Sequence, residues 1–267
     1  MKKITIFGCP FDRTSSYKKG SRFAPREIRR IMDEIEDYSP YLDLDLGDIE
    51  FRDDGDLDIS RMPMEKALQA IESKTRSILK EGNLPFALGG EHTVSVGVVR
   101  ALKSRYADLK VICLDAHCDL KDSYFGQKMC HATASRRMMD LVGEKSLFIF
   151  GARSGKKEEF EFARKRKMSF DFSASEIGKV IKSILKNPVY ISVDLDIFDP
   201  GVFPGTGVAE PGGIGLQDFI KAVKLFSVLN IAGVDAVELS PPCDISEAST
   251  FLAATAVKEM MLMAGSQ

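Results

Sequence analysis

The sequence predicts an α/β protein in which a parallel sheet is covered by helices on both faces. Three observations predict it. Short apolar or β-branched runs alternate with longer amphipathic ones along the whole chain. No Pro/Gly/Ser-rich linker, composition break or internal repeat divides it, so residues 1–267 read as a single domain. At 44% hydrophobic and 28% charged residues, the composition suits a globular protein with a sizeable core.

In chain order the strands are "KITIFG" (3–8), "YLDLDL" (41–46), "LPFAL" (84–88), "KVICLD" (110–115) and "SLFIFG" (146–151), followed by "MSFDF" (168–172), "VYISVD" (189–194) and "IAGVDAVE" (231–238). The first helix is "APREIRRIMDEIEDY" (24–38), where Pro25 suits the first turn and Ile28, Ile31 and Ile35 share a face. Further helical patterns cover 63–81, 93–106, 131–142, 155–167, 174–186, 215–228 and 248–263.

Charge and punctuation exclude several function classes. The 37 Lys and Arg nearly balance the 39 Asp and Glu, a formal net charge of −2, so no global field draws the chain to nucleic acid or an anionic membrane. The basic run "ARKRK" (163–167) reads as a helix end that suits the macrodipole. The opening "MKKITIFGCPFDR" has an apolar run too short for a signal peptide, and no uncharged apolar stretch reaches the ~20 residues of a membrane helix. Five cysteines with no CxxC spacing argue against a disulfide framework and for a reducing cytoplasm.

In open parallel sheets ligands bind beyond the carboxyl ends of the strands, so the residues that follow each strand matter most. After "LPFAL" comes "GGEHTVSVG", where Gly89 and Gly90 permit a sharp turn and His92 precedes a helix; alone, this suits a plain turn with a hydrogen-bonded histidine. After "KVICL" come Asp115, His117 and Asp119, which share a side for as long as the chain stays extended. Two acids so close repel each other and are costly to bury unpaired, which calls for a cation between them. After "VYISV" come Asp194 and Asp196, then Asp199, read as a loop brace before a Gly/Pro-rich stretch. After "IAGVDAV" comes Glu238, a carboxylate ending an apolar strand; it either meets a buried Arg or receives a cationic substrate.

Two His and four Asp are too many for a structural zinc, which takes four ligands, usually thiolates. Mostly oxygen with some imidazole suits a harder octahedral ion such as Mn²⁺, and the number suits two ions bridged by carboxylates. Four carboxylates also neutralise two divalent cations.

These motifs, in this order, resemble the ureohydrolase family of arginases, agmatinases, formimidoylglutamases and guanidinobutyrases. The matching stretches are "GGEHT", "LDAHCDL", "CHAT", "SVDLDIFDPGVFPGTGVAEPGG" and "VELSPP", with the opening "GCPFDRTSSYKKGSRFAPREIR" also similar. The resemblance implies a three-layer α/β/α fold with an eight-stranded parallel sheet and two Mn²⁺ ions per subunit. It implies that His92, Asp115, Asp119 and Asp194 hold one ion and that Asp115, His117, Asp194 and Asp196 hold the other. It further implies hydrolysis of a small guanidino substrate, with Asp119 taking a proton from the attacking hydroxide and Glu238 binding the guanidinium. His131 is similar to the family's mobile-loop histidine, a proton shuttle for the leaving amine, and an imidazole's ordinary pKa range fits that task. The family's usual His-Gly is His131-Ala132 here, which narrows the backbone choices at that loop.

On substrate, "HATASRR" and "GARSGKKEEFEFARK" look most like agmatinases, so the resemblance implies agmatine cleaved to putrescine and urea, within polyamine biosynthesis. Thr133, Arg136 and Arg137 follow the loop histidine and are candidates to bear on the substrate, but suit a helix start and a solvated face at least as well; Cys118 reads as packing, and neither it nor Cys130 takes a catalytic role. Arginine, guanidinobutyrate and N-formimidoylglutamate are the alternatives. All three carry a carboxylate, so a basic side chain at the pocket mouth would favour them. A non-catalytic relative would be expected to have lost ligands. A phosphoesterase would want a glycine-rich phosphate cradle, and Glu238 would repel its substrate. The resemblance also implies a cytoplasmic homo-oligomer, trimer or hexamer.

Overall fold

The computed structural model describes residues 2–267. Eight strands run along the described chain: β1 (Ile4–Cys9), β2 (Phe51–Asp56), β3 (Leu84–Gly89), β4 (Lys110–Leu114), β5 (Leu147–Phe150), β6 (Ser169–Phe170), β7 (Pro188–Asp194) and β8 (Asn230–Val237). They form one parallel sheet in the order β2-β1-β3-β8-β7-β4-β5-β6. The helices are α1 (Ala24–Met32), α2 (Met64–Lys80), α3 (Val94–Arg105), α4 (Ala134–Val142), α5 (Lys157–Arg166), α6 (Ala174–Ile184), α7 (Leu216–Phe226) and α8 (Ala248–Gly265).

Side-chain alternation in the central strands builds two cores. Phe86, Ile112 and Ile191 face one way, against Ile28 of α1, Ile177 of α6, Phe219 of α7 and Val257 of α8. Their neighbours Ala87, Val111 and Tyr190 face the other way, against Ile71 of α2, Val98 of α3, Met138 of α4 and Ala163 of α5. The result is the three-layer α/β/α arrangement that the resemblance implies. Among the described residues no helix is long and apolar enough to cross a membrane.

Two expectations are corrected. The predicted strand 41–46 is a turn closed by the Ser39–Leu44 bridge, and the edge strand is β2, "FRDDGD". An exposed, charged hexapeptide carries no strand pattern; its pairing with β1 (Ile4 beside Phe51) is what makes it one. The predicted helix 24–38 stops at Met32. The chain leaves the helix there because buried Lys258 of α8 donates to the carbonyls of Glu36 (2.9 Å) and Tyr38 (3.1 Å), and Ser39 donates to buried Glu259 (2.7 Å). A tertiary anchor overrides the local helical pattern.

Candidate metal centre and pocket

The four strands whose ends carry the predicted site residues, β3, β8, β7 and β4, are consecutive at the centre of the sheet. His92 follows β3, Asp115 to Asp119 follow β4, Asp194 ends β7, and Glu238 follows β8. The sheet order therefore brings together side chains up to 146 positions apart.

Local geometry differs from simple strand alternation. β4 ends at Leu114, and Asp119 has a left-handed backbone (φ 49°), so the three residues converge through a bend rather than along an extended strand. Asp115 Oδ1 accepts from the His117 amide at 2.6 Å and braces that bend. Asp194 and Asp196 meet similarly, through a short 3₁₀ turn over Leu195–Ile197 in which Asp194 Oδ1 accepts from the Asp196 amide at 3.0 Å. Gly90 is required where it stands: a Cβ there would lie 2.0 Å from the Phe11 carbonyl oxygen.

Three carboxylate oxygens surround His92 Nδ1: Asp115 Oδ2 at 3.1 Å, Asp194 Oδ2 at 3.2 Å and Asp119 Oδ2 at 3.3 Å. Asp196 Oδ2 lies 2.8 Å from His117 Nδ1, and Asp115 Oδ1 lies 3.6 Å from it. Two groups result, His92–Asp115–Asp119 and Asp115–His117–Asp196, which share Asp115; within each, the ligand-type atoms lie within 4.8 Å of one another. His92 Nδ1 and Asp115 Oδ2 are buried without a hydrogen-bond partner, although each has the other close by. Buried ligand-type atoms that crowd together without hydrogen bonds are what the ligands of a cation present.

The electrostatics agree. Burial and the charges of Asp196 and Asp115 push Asp194 well above the ordinary carboxylate range. Burial and Asp115 push Asp119 up to about 6. Burial opposes charge on both imidazoles, but the surrounding carboxylates outweigh it and raise His92 and His117. Asp115, although its burial acts upward, is held below the usual range by His117 and His92. Without a cation the cluster recruits protons as its positive charge.

A network that sequence reasoning missed orients His92 from behind. Its Nε2 lies 3.2 Å from Ser192 Oγ, which donates to wholly buried Asp235 at 2.7 Å, and Tyr190 donates to the other oxygen of Asp235. Asp235 sits inside "IAGVDAVE", and a carboxylate mid-strand in a buried run was the available signal. Arg153 of "GARS" also went unassigned. Its guanidinium donates to the carbonyls of Asp196 (2.8 Å), Glu210 (2.9 Å) and Pro211 (3.1 Å), with longer bonds to Ile197, Phe198 and Gly151. It ties the glycine-rich loop to the end of β7. Asp199 braces the same loop as expected, accepting from the amides of Gly201, Gly212 and Gly213.

Glu238 has a left-handed backbone (φ 68°), and its Oε1 accepts from the His92 amide at 2.7 Å. That amide is the only hydrogen-bond partner of the Glu238 side chain among the described residues, so no buried Arg partners it, and the side chain lines the pocket. Burial pushes its carboxyl up to about 8.

His131 lines the same pocket, with Ser16 Oγ at 3.1 Å from Nε2. The expectation of an ordinary imidazole pKa is corrected: burial lowers it to about 4, so the ring is neutral near pH 7. Ala132 lies in a 3₁₀ turn (His131–Thr133) and is not among the left-handed residues, so this turn does not demand glycine. Thr133 Oγ1 accepts from the Cys130 amide at 3.1 Å, a helix-start role, and Arg137 pairs with Asp122 and Asp140 on the solvated face. Cys118 packs in the core. Two basic side chains line the mouth: Lys121, paired with Glu159 at 2.9 Å, and the exposed Lys18.

A model of the arginase family matches residues 2–263. An agmatinase of Bacillus subtilis (strain 168) is 40% identical over 261 residues, covering 96% of this chain and 90% of that protein. An agmatinase of Bacillus anthracis is 38% identical over 264 residues, covering 97% and 91%. The crystal structure of a proposed agmatinase from Clostridium difficile superposes with a TM-score of 0.96 at 38% identity, covering 99% of this chain and 98% of that one.

Proposed function

Because the chain belongs to the arginase family, we propose that it is a ureohydrolase that cleaves agmatine to putrescine and urea, the whole chain acting as one catalytic domain. The observation that carries this reading is the convergence of two His and four Asp at the ends of the central strands, with Glu238 beside them in the lining of the same pocket.

In this reading His92, Asp115, Asp119 and Asp194 hold one ion, and Asp115, His117, Asp194 and Asp196 the other. The orphaned His92 Nδ1 and Asp115 Oδ2 support that assignment. Two divalent cations held there, Mn²⁺ in this proposal, would supply a bound water of lowered pKa as the nucleophile near neutral pH. Glu238 receives the guanidinium, whose planar cation suits a carboxylate with one oxygen already fixed by the His92 amide. Asp119, which lines the pocket beside the other ligands, is the carboxylate that would accept the proton of the attacking water. His131 stands at the pocket wall, where the leaving amine would depart, and serves its protonation.

Lys18 favours a second reading. An uncompensated cation at the mouth would attract a carboxylate-bearing guanidine such as guanidinobutyrate and repel the ammonium end of agmatine. The free cysteines accord with a reducing cytoplasm, and a homo-oligomer is proposed on family resemblance.

The test is urea release by Mn²⁺-loaded protein offered agmatine, arginine and guanidinobutyrate in parallel, with formamide scored for N-formimidoylglutamate. Agmatine turned over well above the rest supports the first reading. A carboxylate-bearing winner transfers the chemistry to the second. No turnover of any overturns both.

A further inference from the structure

We propose that Ser16 is a positioning residue for His131: its hydroxyl holds the imidazole at the pocket wall and fixes which ring nitrogen carries the proton. The inference rests on the reading of His131 as the group that serves the leaving amine.

Ser16 belongs to the loop that runs from Asp12 to Gly20, and that loop is fastened at its base and its middle. At the base, Asp12 Oδ2 accepts from the Gly20 amide at 2.9 Å and Asp12 Oδ1 from Arg22 at 3.2 Å. In the middle, fully buried Glu91 accepts from the amides of Thr14 (2.7 Å) and Ser15 (3.1 Å) and from the Thr14 hydroxyl (2.5 Å). The Thr14 hydroxyl in turn accepts from the His131 amide at 3.1 Å. The loop and the His131 turn are therefore one hydrogen-bonded unit, and this unit delivers Ser16 Oγ to His131 Nε2 at 3.1 Å.

The two ring nitrogens are not equivalent. Nδ1 is buried with no hydrogen-bond partner, whereas Nε2 faces Ser16, and both residues line the pocket. A proton on Nδ1 would be a buried donor with no acceptor, which costs more than an idle lone pair. The neutral ring therefore carries its proton on Nε2 and donates it to Ser16 Oγ, on the side facing the pocket. Tyr124 meets the ring edge-on, with centroids 5.8 Å apart, and restricts its tilt. The charged groups bearing on the ring are Lys121, His117 and His92, and Lys18 shares the pocket lining. None of these bonds to Nε2, so among the described residues the hydroxyl alone sets the tautomer.

The experiment uses the full chain with Ser16→Ala, Ser16→Thr and His131→Asn. The chain has three histidines, so long-range ¹H–¹⁵N spectra of the metal-free protein assign the His131 ring by its loss in His131→Asn. Wild type and Ser16→Thr are expected to show the Nε2–H tautomer, and Ser16→Ala a mixture of both. With Mn²⁺-loaded enzyme and agmatine, Ser16→Ala should lower kcat about tenfold with KM changed by less than about twofold, and Ser16→Thr should restore kcat, as for loss and recovery of one hydrogen bond. A Ser16→Ala protein with wild-type tautomer and kcat, when His131→Asn is impaired, overturns the role of Ser16 and leaves the reading of His131 intact. Wild-type kcat in His131→Asn overturns that reading instead, and the tautomer comparison still decides whether Ser16 holds the ring.

Discussion

Stripping and restoring Mn²⁺ should change the thermal midpoint by an amount that follows from the acid cluster. A ligand at about 100 times its Kd stabilises the folded state by about 2.7 kcal/mol per site. Unfolding entropy near 2.1 cal/mol/K per residue gives about 0.6 kcal/mol/K for a chain of 267 residues, hence about 5 °C per ion and about 10 °C for two. Asp194→Asn separates this effect from ordinary destabilisation. Asp194 is pushed well above the ordinary carboxylate range by burial and by Asp196 and Asp115, so without metal its neutral form is favoured and a neutral amide replaces it with no loss of charge pairing. The variant's metal-free midpoint should therefore be equal to or above wild type, while most of its Mn²⁺ response disappears.

The same measurement has a pH signature. Asp119, raised to about 6, is protonated in the metal-free fold at pH values where the unfolded chain, at about 3.8, is already ionised. That contribution favours the metal-free fold at the acid end and is lost as pH rises through about 6, whereas cation binding needs the bare carboxylate. The gap between loaded and stripped midpoints should widen as pH rises through that window. Differential scanning calorimetry with and without Mn²⁺, from pH 5 to 8, measures it. A full Mn²⁺ response in Asp194→Asn, or a gap that narrows with rising pH, would refute the reasoning.

Three further outcomes are expected. Glu238→Gln should raise KM for the guanidino substrate by about 10- to 100-fold, the scale of a lost charge-assisted hydrogen bond, with the Mn²⁺ shift in midpoint preserved; steady-state kinetics and calorimetry check the two halves. Asp235→Asn, which alters the acceptor behind Ser192 and His92, should weaken Mn²⁺ affinity by about tenfold or more, as read by titration calorimetry. Because burial holds His131 at about 4, its ring is uncharged above pH 5, and kcat/KM under saturating Mn²⁺ should show no inflection near 6.5; one that vanishes in His131→Asn would contradict this.

The strand ends were legible because the chemistry there violates the pattern around it: carboxylates and imidazoles behind apolar runs stand out. Seven of the eight strands lie where the runs predict them, since a strand buried on both faces announces itself by composition. Strand β2 did not, because its six residues are largely exposed and its strand state comes from its partner. "YLDLDL" has strand-like alternation, but buried Lys258 and Glu259, over 200 positions away, hold the segment leading into it. The second layer of the site was hidden for a similar reason. Serines, threonines and an arginine are unremarkable in one dimension; Ser192, Thr14 and Arg153 acquire meaning only from what the fold puts beside them.

The strand order also constrains how the molecule is assembled on the ribosome. β2-β1-β3 and β4-β5-β6 are made first, yet β3 and β4 never touch; the two strands between them, β8 and β7, are the last to be synthesised. Until β7 has emerged at residue 194, the nascent chain can pair only two three-stranded half-sheets with open facing edges; β7 then widens the second to four strands, and only β8, complete at residue 237, joins the two. Those edges belong to the strands that will carry His92 and Asp115. Closing them requires contacts such as Leu88 with Ala236, a large separation in sequence and a slow step of folding. His92 thus joins the aspartates that follow β4 and β7 only after β8 has been made. A chain released early exposes two unpaired strand edges, an invitation to aggregation that chaperone capture of ribosome-bound intermediates truncated before residue 230 would reveal.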